Sequence, residues 1–540
     1  MYHKHRIAAT RWPFVLRSLA VLCGFWCSHL FALSVTLNWD ADAGPNIVGY
    51  RVYYGTESGV YTQAADVGNT TSASIANIEP GNTYYFVVTA SNASGLASHP
   101  SSEVSFETGP LAVNDTVLLV SASSVVIDVL ANDKSPGGTP QIAQITQPKY
   151  GSAAINGDNT ITYTAGANFP GTDSFTYTLS DGNGGSSTAT VTVSDKGTFN
   201  GLISNASPDM ANMGRLRIQF THTGEFTGKM TLGALTEPVS GLFTSAGAAT
   251  NVRIDGEPAA ALTLNLDPGT CQITGSMAAE SGAPSTIAAS LDAFSTGTVS
   301  PEAGSYTLLL PPNPGPAAAG NPPAGTGFCK MLVTADGLAS VTGRLADGTV
   351  LNTAAAITAD GSVALYVPLY GGGGFLSGVL KFESVTTSGS ASDIDGTLEW
   401  QKQEVPGGRA RFSAGFDTTI NAIGSTYSAS DAAGTIADLS PAAQGQAGVT
   451  LSGGDLLAPV TDDVTLVAPG LFREQSPVKQ GVVIQINRAT GLFTGRFLDP
   501  AGNTWRLLAG AVFQKQGIAA GLFLTGTSSG SVLLTGGTTN

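Results

Sequence analysis

The sequence predicts an all-β protein in which two N-terminal β-sandwiches precede a β-hairpin repeat region forming curved sheets or barrels. Three observations carry this. Apolar and polar residues alternate over short runs bounded by Gly, Pro, Asn and Asp, the pattern of half-buried strands. No long stretch of the 540 residues has a clean helical period. Finally, a five-residue pattern recurs through the last two-thirds of the chain: an apolar residue, any residue, Gly, any residue, an apolar residue. It occurs at Phe199–Ile203, Phe226–Met230, Val239–Phe243, Ile273–Met277, Val341–Leu345, Leu376–Leu380, Ile394–Leu398 and Phe493–Phe497, with looser copies at Gly510 and Gly521. Strand side chains alternate faces, so the Gly and both apolar residues share one face. The Gly therefore points into the core. Repeated inward glycines predict tightly curved or closely packed sheets with a large side chain over each notch.

The first 34 residues read as a secretory signal peptide. Lys4, Arg6, Arg11 and Arg17 flank an apolar run, Ser18–Phe31, that ends in the small-residue site Ala32-Leu33-Ser34. That run is short for a membrane anchor, so no transmembrane span is expected after its removal. The formal charge is −15; four of the 24 basic residues and none of the 39 acids lie in the leader, leaving about −19. Such an acidic surface argues against nucleic acid and anionic membranes as partners. It suits a secreted or cell-surface protein, or one that binds cations. The 68 Gly and 28 Pro fall short of the share that signals disorder, and the length predicts several domains.

Residues 35–108 alternate as Val35-Thr36-Leu37-Asn38-Trp39 and as Val48–Tyr54, then turn through Ile78-Glu79-Pro80-Gly81-Asn82-Thr83-Tyr84 into a strand with Phe86, Val88 and Ala90. This segment resembles a fibronectin type III domain. The resemblance implies a seven-stranded sandwich with a buried Trp39 and a corner tyrosine at Tyr84, used as a spacer or binding module. No Arg-Gly-Asp is present, so integrin-type binding is not expected.

Gly109-Pro110 closes that domain. The next segment, 109–195, carries Ala112-Val113-Asn114-Asp115, Ile127-Asp128-Val129-Leu130-Ala131-Asn132-Asp133, Phe169–Tyr177 and Ser180–Gly185. It resembles the bacterial cadherin-like, Ig-like repeats of large surface proteins, which implies a second sandwich. Asp115, Asp128, Asp133, Asp173 and Asp181 fall near strand ends. Hard oxygen ligands gathered there would hold Ca²⁺; alternatively, each Asp caps its own turn.

The region 196–540 divides into 196–301, 302–428 and 429–540. Thr221–Lys229 is similar to Arg488–Arg496, and Thr334-Ala335-Asp336-Gly337 is similar to Thr358-Ala359-Asp360-Gly361. Such Gly turns join hairpins, and hairpins must stack or close to bury their edges. Loops are expected at 311–327 and 429–458. The unit from Gly304 through Leu345, with Tyr366, Leu369-Tyr370, Trp400 and Gly415-Phe416, resembles a repeat region of large exported bacterial proteins.

Little catalytic chemistry is legible. Beyond the leader only His99 and His222 remain, and neither neighbours a nucleophile motif. Asp393 and Asp395 share a strand face, as a glycosidase pair could or a solvated face would. Tyr53, Tyr61, Tyr366, Tyr370, Trp400 and Trp505 are candidates for sugar stacking or for core. Cys271 and Cys329 are either a disulfide or two buried thiols. The strands are short and lack aromatic girdles, against an outer-membrane pore. The expectation is an exported, non-catalytic multi-module protein that recognises extracellular protein or polysaccharide in adhesion or scaffolding. The alternative is a carbohydrate-active protein, a polysaccharide-binding module or a glycosidase.

Overall fold

The computed structural model describes residues 33–42, 44, 46–120, 122–258, 261–278, 282–294, 299–313, 319–320, 322–383, 392–408, 411–429, 446–474, 481–500 and 502–536. Of the predicted leader, only Leu33 and Ser34 are among them. Apart from one short 3₁₀ turn, Gln514–Gln516, the regular structure described is all strand. The chain forms two compact units. The first holds the described residues through Val117 together with Ser123–Ser194; the second holds Leu118–Ala122 and the described residues from Asp195 onward.

The first unit contains both sandwiches. In one, Leu33–Asn38 pairs with Ser72–Ile78, facing a sheet in the order Gln63–Gly68, Ile47–Gly55, Thr83–Asn92, Val104–Glu107. The described residues thus supply six strands rather than the seven expected. Leu33 pairs with Ile78, so the expected cleavage boundary falls inside the first strand. Val35, Val52, Ile75, Ile78 and Phe86 alternate into the core. Trp39 was expected to be buried but is half-buried, 5.6 Å from the Tyr50 ring, with its indole N–H unpartnered. The Tyr84 hydroxyl accepts a hydrogen bond from the Glu79 N–H at 3.2 Å, forming the expected corner. The other sandwich packs Gly151–Ile155, Ile161–Ala165 and Ser124–Ile127 on a four-stranded sheet ordered Asp115–Leu118, Ser186–Ser194, Thr172–Ser180, Gln141–Ile145.

The second unit is built from three successive antiparallel meanders. In the first, Gly197–Ser204 pairs with both Gly214–Phe220 and Ser285–Leu291, so the meander's first and last strands meet. This nine-stranded sheet curls until Ala248 bridges Asn265. In the second, Gly304–Leu310 pairs with Phe416–Thr426, and Ile357 bridges Val363 across the remaining gap. The third, Gln446–Gly453 to Ser529–Gly536, is a closed barrel. Closure removes the exposed strand edges that a hairpin array would otherwise present. The loop expected at 429–458 is therefore too long. Ala447, Val449 and Leu451 alternate inward and open the third barrel. Within 311–327, Pro312–Asn313 and Ala319–Gly320 pair with Phe416–Thr426.

The glycine pattern explains the curvature. The apolar residues of every full copy lie in a barrel core or, for Met277, pack against one. The notches are covered by the residue directly opposite on the adjacent strand of the same barrel. Phe226 lies over Gly241, Phe493 over Gly510 and Phe523 over Gly530. A small barrel needs strongly tilted and coiled strands; an inward Gly lets a large neighbour lie flat across the ladder. Outward positions such as Arg215, Arg217 and Gln219 are exposed. Along this strand the first barrel is thus apolar within and polar without, the reverse of barrels that sit in lipid. The similar turns also share geometry: the Gly337 N–H donates to the Thr334 carbonyl and that of Gly361 to the Thr358 carbonyl, with φ of 76° and 74°.

The barrels dock on one another. Gly304–Leu310 is buried on both faces: Leu308 and Leu310 fill the second barrel while Leu309 packs outward with Phe513 and Leu522 of the third. The Thr307 hydroxyl donates to the Val512 carbonyl at 2.6 Å, and Lys515 pairs with Asp393 at 2.6 Å. Between the first and second barrels, Leu202 and Met213 pack on Tyr366 and Phe375, and the Tyr366 hydroxyl donates to the Gly233 carbonyl at 3.0 Å.

Candidate functional site

The five predicted calcium ligands separate. Asp173 is buried, and both its oxygens are used: Oδ1 accepts from the N–H groups of Lys149 and Ser174, Oδ2 from the Tyr150 N–H and the Tyr163 hydroxyl. Asp181 Oδ1 accepts from the Asn183 and Gly185 N–H groups, closing its own turn. Neither reaches the others, so a five-residue ligand set is not assembled; Asp181 caps its own turn, while Asp173 ties Lys149-Tyr150 and Tyr163 to its strand. Among the described residues no three His, Cys, Asp or Glu side chains converge as a metal group.

Asp115 and Asp133 do meet. Asp133 Oδ1 accepts from the Val113 N–H and the Tyr177 hydroxyl, both at 2.8 Å, and Asp115 Oδ1 from the Asn132 amide at 3.2 Å. The other oxygen of each carboxylate is buried without a hydrogen bond. Burial, then the Asp133 charge beside it, pushes the Asp115 carboxyl up to about 7; exposed Asp128 adds a smaller push. A carboxyl whose folded value exceeds its ordinary one, near 4, binds its proton more tightly when folded. Its stabilising effect is complete below about pH 4 and is lost as pH rises through about 7. The transition of the first unit is therefore expected to fall in temperature over that range, and Asp115→Asn to flatten the fall. An identical pH slope in the variant, read by calorimetry, would contradict this.

Several of the remaining candidates are engaged within the fold. Cys271 and Cys329 are free thiols in the cores of the first and second barrels, each facing its own interior, so the disulfide is not formed. Burial pushes the Cys329 thiol up to about 12. Asp393 is held by Lys515 and by the Thr426 N–H and hydroxyl. Burial opposes its ionisation, but these bonds outweigh it and keep the carboxyl below its ordinary value. Asp395 accepts instead from Ser392 at 2.6 Å. Trp400 and Tyr366 are core; Tyr53, Tyr61 and Tyr370 are half-buried, and Trp505 is exposed under Arg496, 4.6 Å from its ring. His99 and His222 are exposed.

A site the sequence did not reveal lies between the first and second barrels. A cleft of about 520 Å³ is walled on one side by Leu202, Pro208 and Met213, and on the other by Ser377, Glu399 and Asp417. Ser377, Glu399 and Thr419 lie opposite one another on three adjacent strands, and Asp417 is the next outward residue along. Their inward neighbours Leu398 and Trp400 fill the barrel. Burial, then the Asp417 charge, raises the Glu399 carboxyl above its ordinary value. The Ser377 hydroxyl is fully buried and has no hydrogen-bond partner.

Comparison with known proteins bears on the first unit. Residues 29–107 match the fibronectin type III domain and residues 107–194 match the bacterial Ig domain. No curated protein matches the chain. Among solved structures, it is similar to the endo-fucoidan hydrolase MfFcnA9 of glycoside hydrolase family 107 (17% identity, TM-score 0.12). That match covers 30% of this chain and 31% of the hydrolase, so the chain spans under a third of its length. It is similar to transferrin binding protein B from serogroup B Neisseria meningitidis (11% identity, TM-score 0.15, covering 76% and 88%). It is similar to the N-terminal eight Ig domains of Down Syndrome Cell Adhesion Molecule (9% identity, TM-score 0.12, covering 94% and 83%). These scores are too low to indicate a shared overall fold. The chain is thus a multi-domain β protein whose N-terminal parts are fibronectin type III and bacterial Ig modules.

Proposed function

We propose that this is an exported, non-catalytic recognition protein of a bacterial surface or its surroundings, with the two sandwich modules as spacer and the barrels as the recognition end. Its partner is an extracellular protein or polysaccharide, and its work is adhesion or scaffold display. The observation that carries the reading is the filling of the barrels. Phe199, Phe226, Trp400, Phe472, Phe493 and Phe497 are all fully buried, which leaves the outer faces and the clefts between barrels for recognition. The company of fibronectin type III and bacterial Ig modules supports it, as fold-level analogy. The test presents the full chain to immobilised polysaccharides and extracellular proteins and follows bound ligand and released reducing ends together. Binding without turnover is expected. Turnover abolished by a single carboxylate substitution would make the protein a glycosidase instead.

Calcium belongs to the same reading in a narrower form. Asp115 and Asp133 would hold the cation through their two unpartnered oxygens, which a hard divalent ion suits. Its charge would also offset the burial and the Asp133 repulsion that raise the Asp115 carboxyl. Added Ca²⁺ at pH 8 should then raise the melting temperature of the first unit in the wild type and not in Asp115→Asn. Equal melting with Ca²⁺ and with chelator would rule the ion out.

A further inference from the structure

We propose that the cleft between the first and second barrels binds alkylammonium groups, supplied by a free polyamine or by lysine side chains of a partner protein. The inference rests on the barrels being the recognition end and names the chemistry they recognise there.

Charge is the first argument. Glu399 and Asp417 face the cleft, and among the described residues no Lys, Arg or His lines it. The nearest cation along the strand, Lys402, is drawn away: its Nζ donates to the Arg411 carbonyl at 3.0 Å and sits 4.8 Å from the Tyr370 ring centre. The Arg411 guanidinium is itself engaged, donating through Nε to the Thr525 carbonyl at 2.6 Å. Glu399 and Asp417, both half-buried, thus form no ion pair among the described residues, and each would be stabilised by a cation between them.

The second argument is independent of charge. The Ser377 hydroxyl is 1% exposed, unpartnered and lines the same cleft. A buried polar group left unsatisfied is costly, and a ligand that completes it is the ordinary remedy. An ammonium has three donors and no acceptor. The two carboxylates and the hydroxyl oxygen offer it three acceptors, and the opposite wall of Leu202, Pro208 and Met213 suits the methylene stem.

Other occupants fit less well. Among the described residues no aromatic ring lines the cleft to stack on a sugar. A second hollow of about 330 Å³ shares Asp417 and adds Asp209 and Glu404, with Lys402 also on its wall. A ligand with several spaced ammonium groups, such as spermidine or a tri-lysine strand, could span both.

The full chain is titrated calorimetrically with spermidine, with an N-acetylated tri-lysine amide, and with fully acetylated spermidine. At least one of the charged probes should bind and the acetylated one should not. Glu399→Gln with Asp417→Asn should weaken binding by about tenfold or more, the scale of one lost charge-assisted bond. Glu237→Gln, an exposed acid of the first barrel, should leave it unchanged. Glu399→Gln should hold or raise the melting temperature, since it removes a buried repulsion; a purely structural carboxylate would lower it. Spermidine alone identifies a free polyamine, and tri-lysine alone a partner's lysines. The proposal is overturned if neither charged probe binds, if the double variant binds as well as the wild type, or if Ca²⁺ or a neutral oligosaccharide binds with the same sensitivity. If protein or glycan recognition is found without amine binding, the broader reading survives and this one fails. If amines bind and no such recognition is found, this one survives and the broader reading fails.

Discussion

Replacing Trp400 with alanine is expected to lower the stability of the second barrel by about 4 kcal/mol, near the upper end for a buried aromatic. The indole is fully buried and meets the Phe416 ring edge-on at 4.7 Å. Truncation would open a cavity that the surrounding ladder cannot close, because the strands on either side are fixed by continuous pairing through Leu376 and Thr418. A polar cost is added. The indole N–H donates to the Tyr370 hydroxyl at 3.0 Å, which donates to Asp347 at 2.8 Å. Burial, then the Asp347 charge, raises the Tyr370 phenol well above its ordinary value, so it remains a donor. Trp400→Phe keeps most of the volume and leaves the Tyr370–Asp347 bond; its cost should be about half as large. Urea unfolding followed by circular dichroism measures both, with the midpoint moving at constant slope. A loss under about 1 kcal/mol for the alanine variant would mean that the barrel interior is not the filled core described above.

Gly495→Val tests the notch itself and should cost about 3 kcal/mol or more, the upper range for overpacking. A Cβ at this position would stand 2.7 Å from Leu508 Cδ1 and 3.2 Å from Ile484 Cα, and would overlap the Val483 carbonyl. The leucine tip could swing aside. The backbone atoms belong to the paired strand and could not move without breaking the ladder. The control lies in the same barrel: Gly526 is exposed, with nothing within 4 Å of an added Cβ. Gly526→Ala should therefore change stability by less than about 0.5 kcal/mol. Equal effects at the two positions would mean that the glycines reflect composition rather than geometry.

The contrast between these two glycines also marks how far the sequence could be read. Position 495 sits midway between Phe493 and Phe497, and strand alternation alone places it inside. Local patterns served equally well for the Ile78–Tyr84 corner and for the Thr334–Gly337 turn, because each is decided within a few residues by period and turn chemistry. Closure stood in the sequence only as one of two alternatives, beside stacking. The contacts that shut the first two barrels, Ala248 with Asn265 and Ile357 with Val363, are single bridges with no motif of their own. The cleft was hidden for the same reason. Glu399 and Asp417 become neighbours through strand register, and Leu202 reaches them only because two barrels dock. The five acids failed differently. An Asp at a strand end looks the same whether it caps a turn, as Asp181 does, or faces another carboxylate, as Asp115 does. Only the third dimension separates the two. The thiols of Cys271 and Cys329 were equally ambiguous until each was seen to face a different core.

Those two thiols provide the most direct measure of whether the glycine notches close three solid barrels docked into one body. In a chain with Cys23 and Cys27 replaced by serine, an aromatic disulfide reagent reports the exposure of Cys271 and Cys329 across a urea series. The expected result is no reaction in the native protein, followed by release of both thiols in a single transition that coincides with loss of the strand signal. Rapid labelling of either thiol without denaturant would contradict the filled cores. Release of one long before the other would contradict the docking.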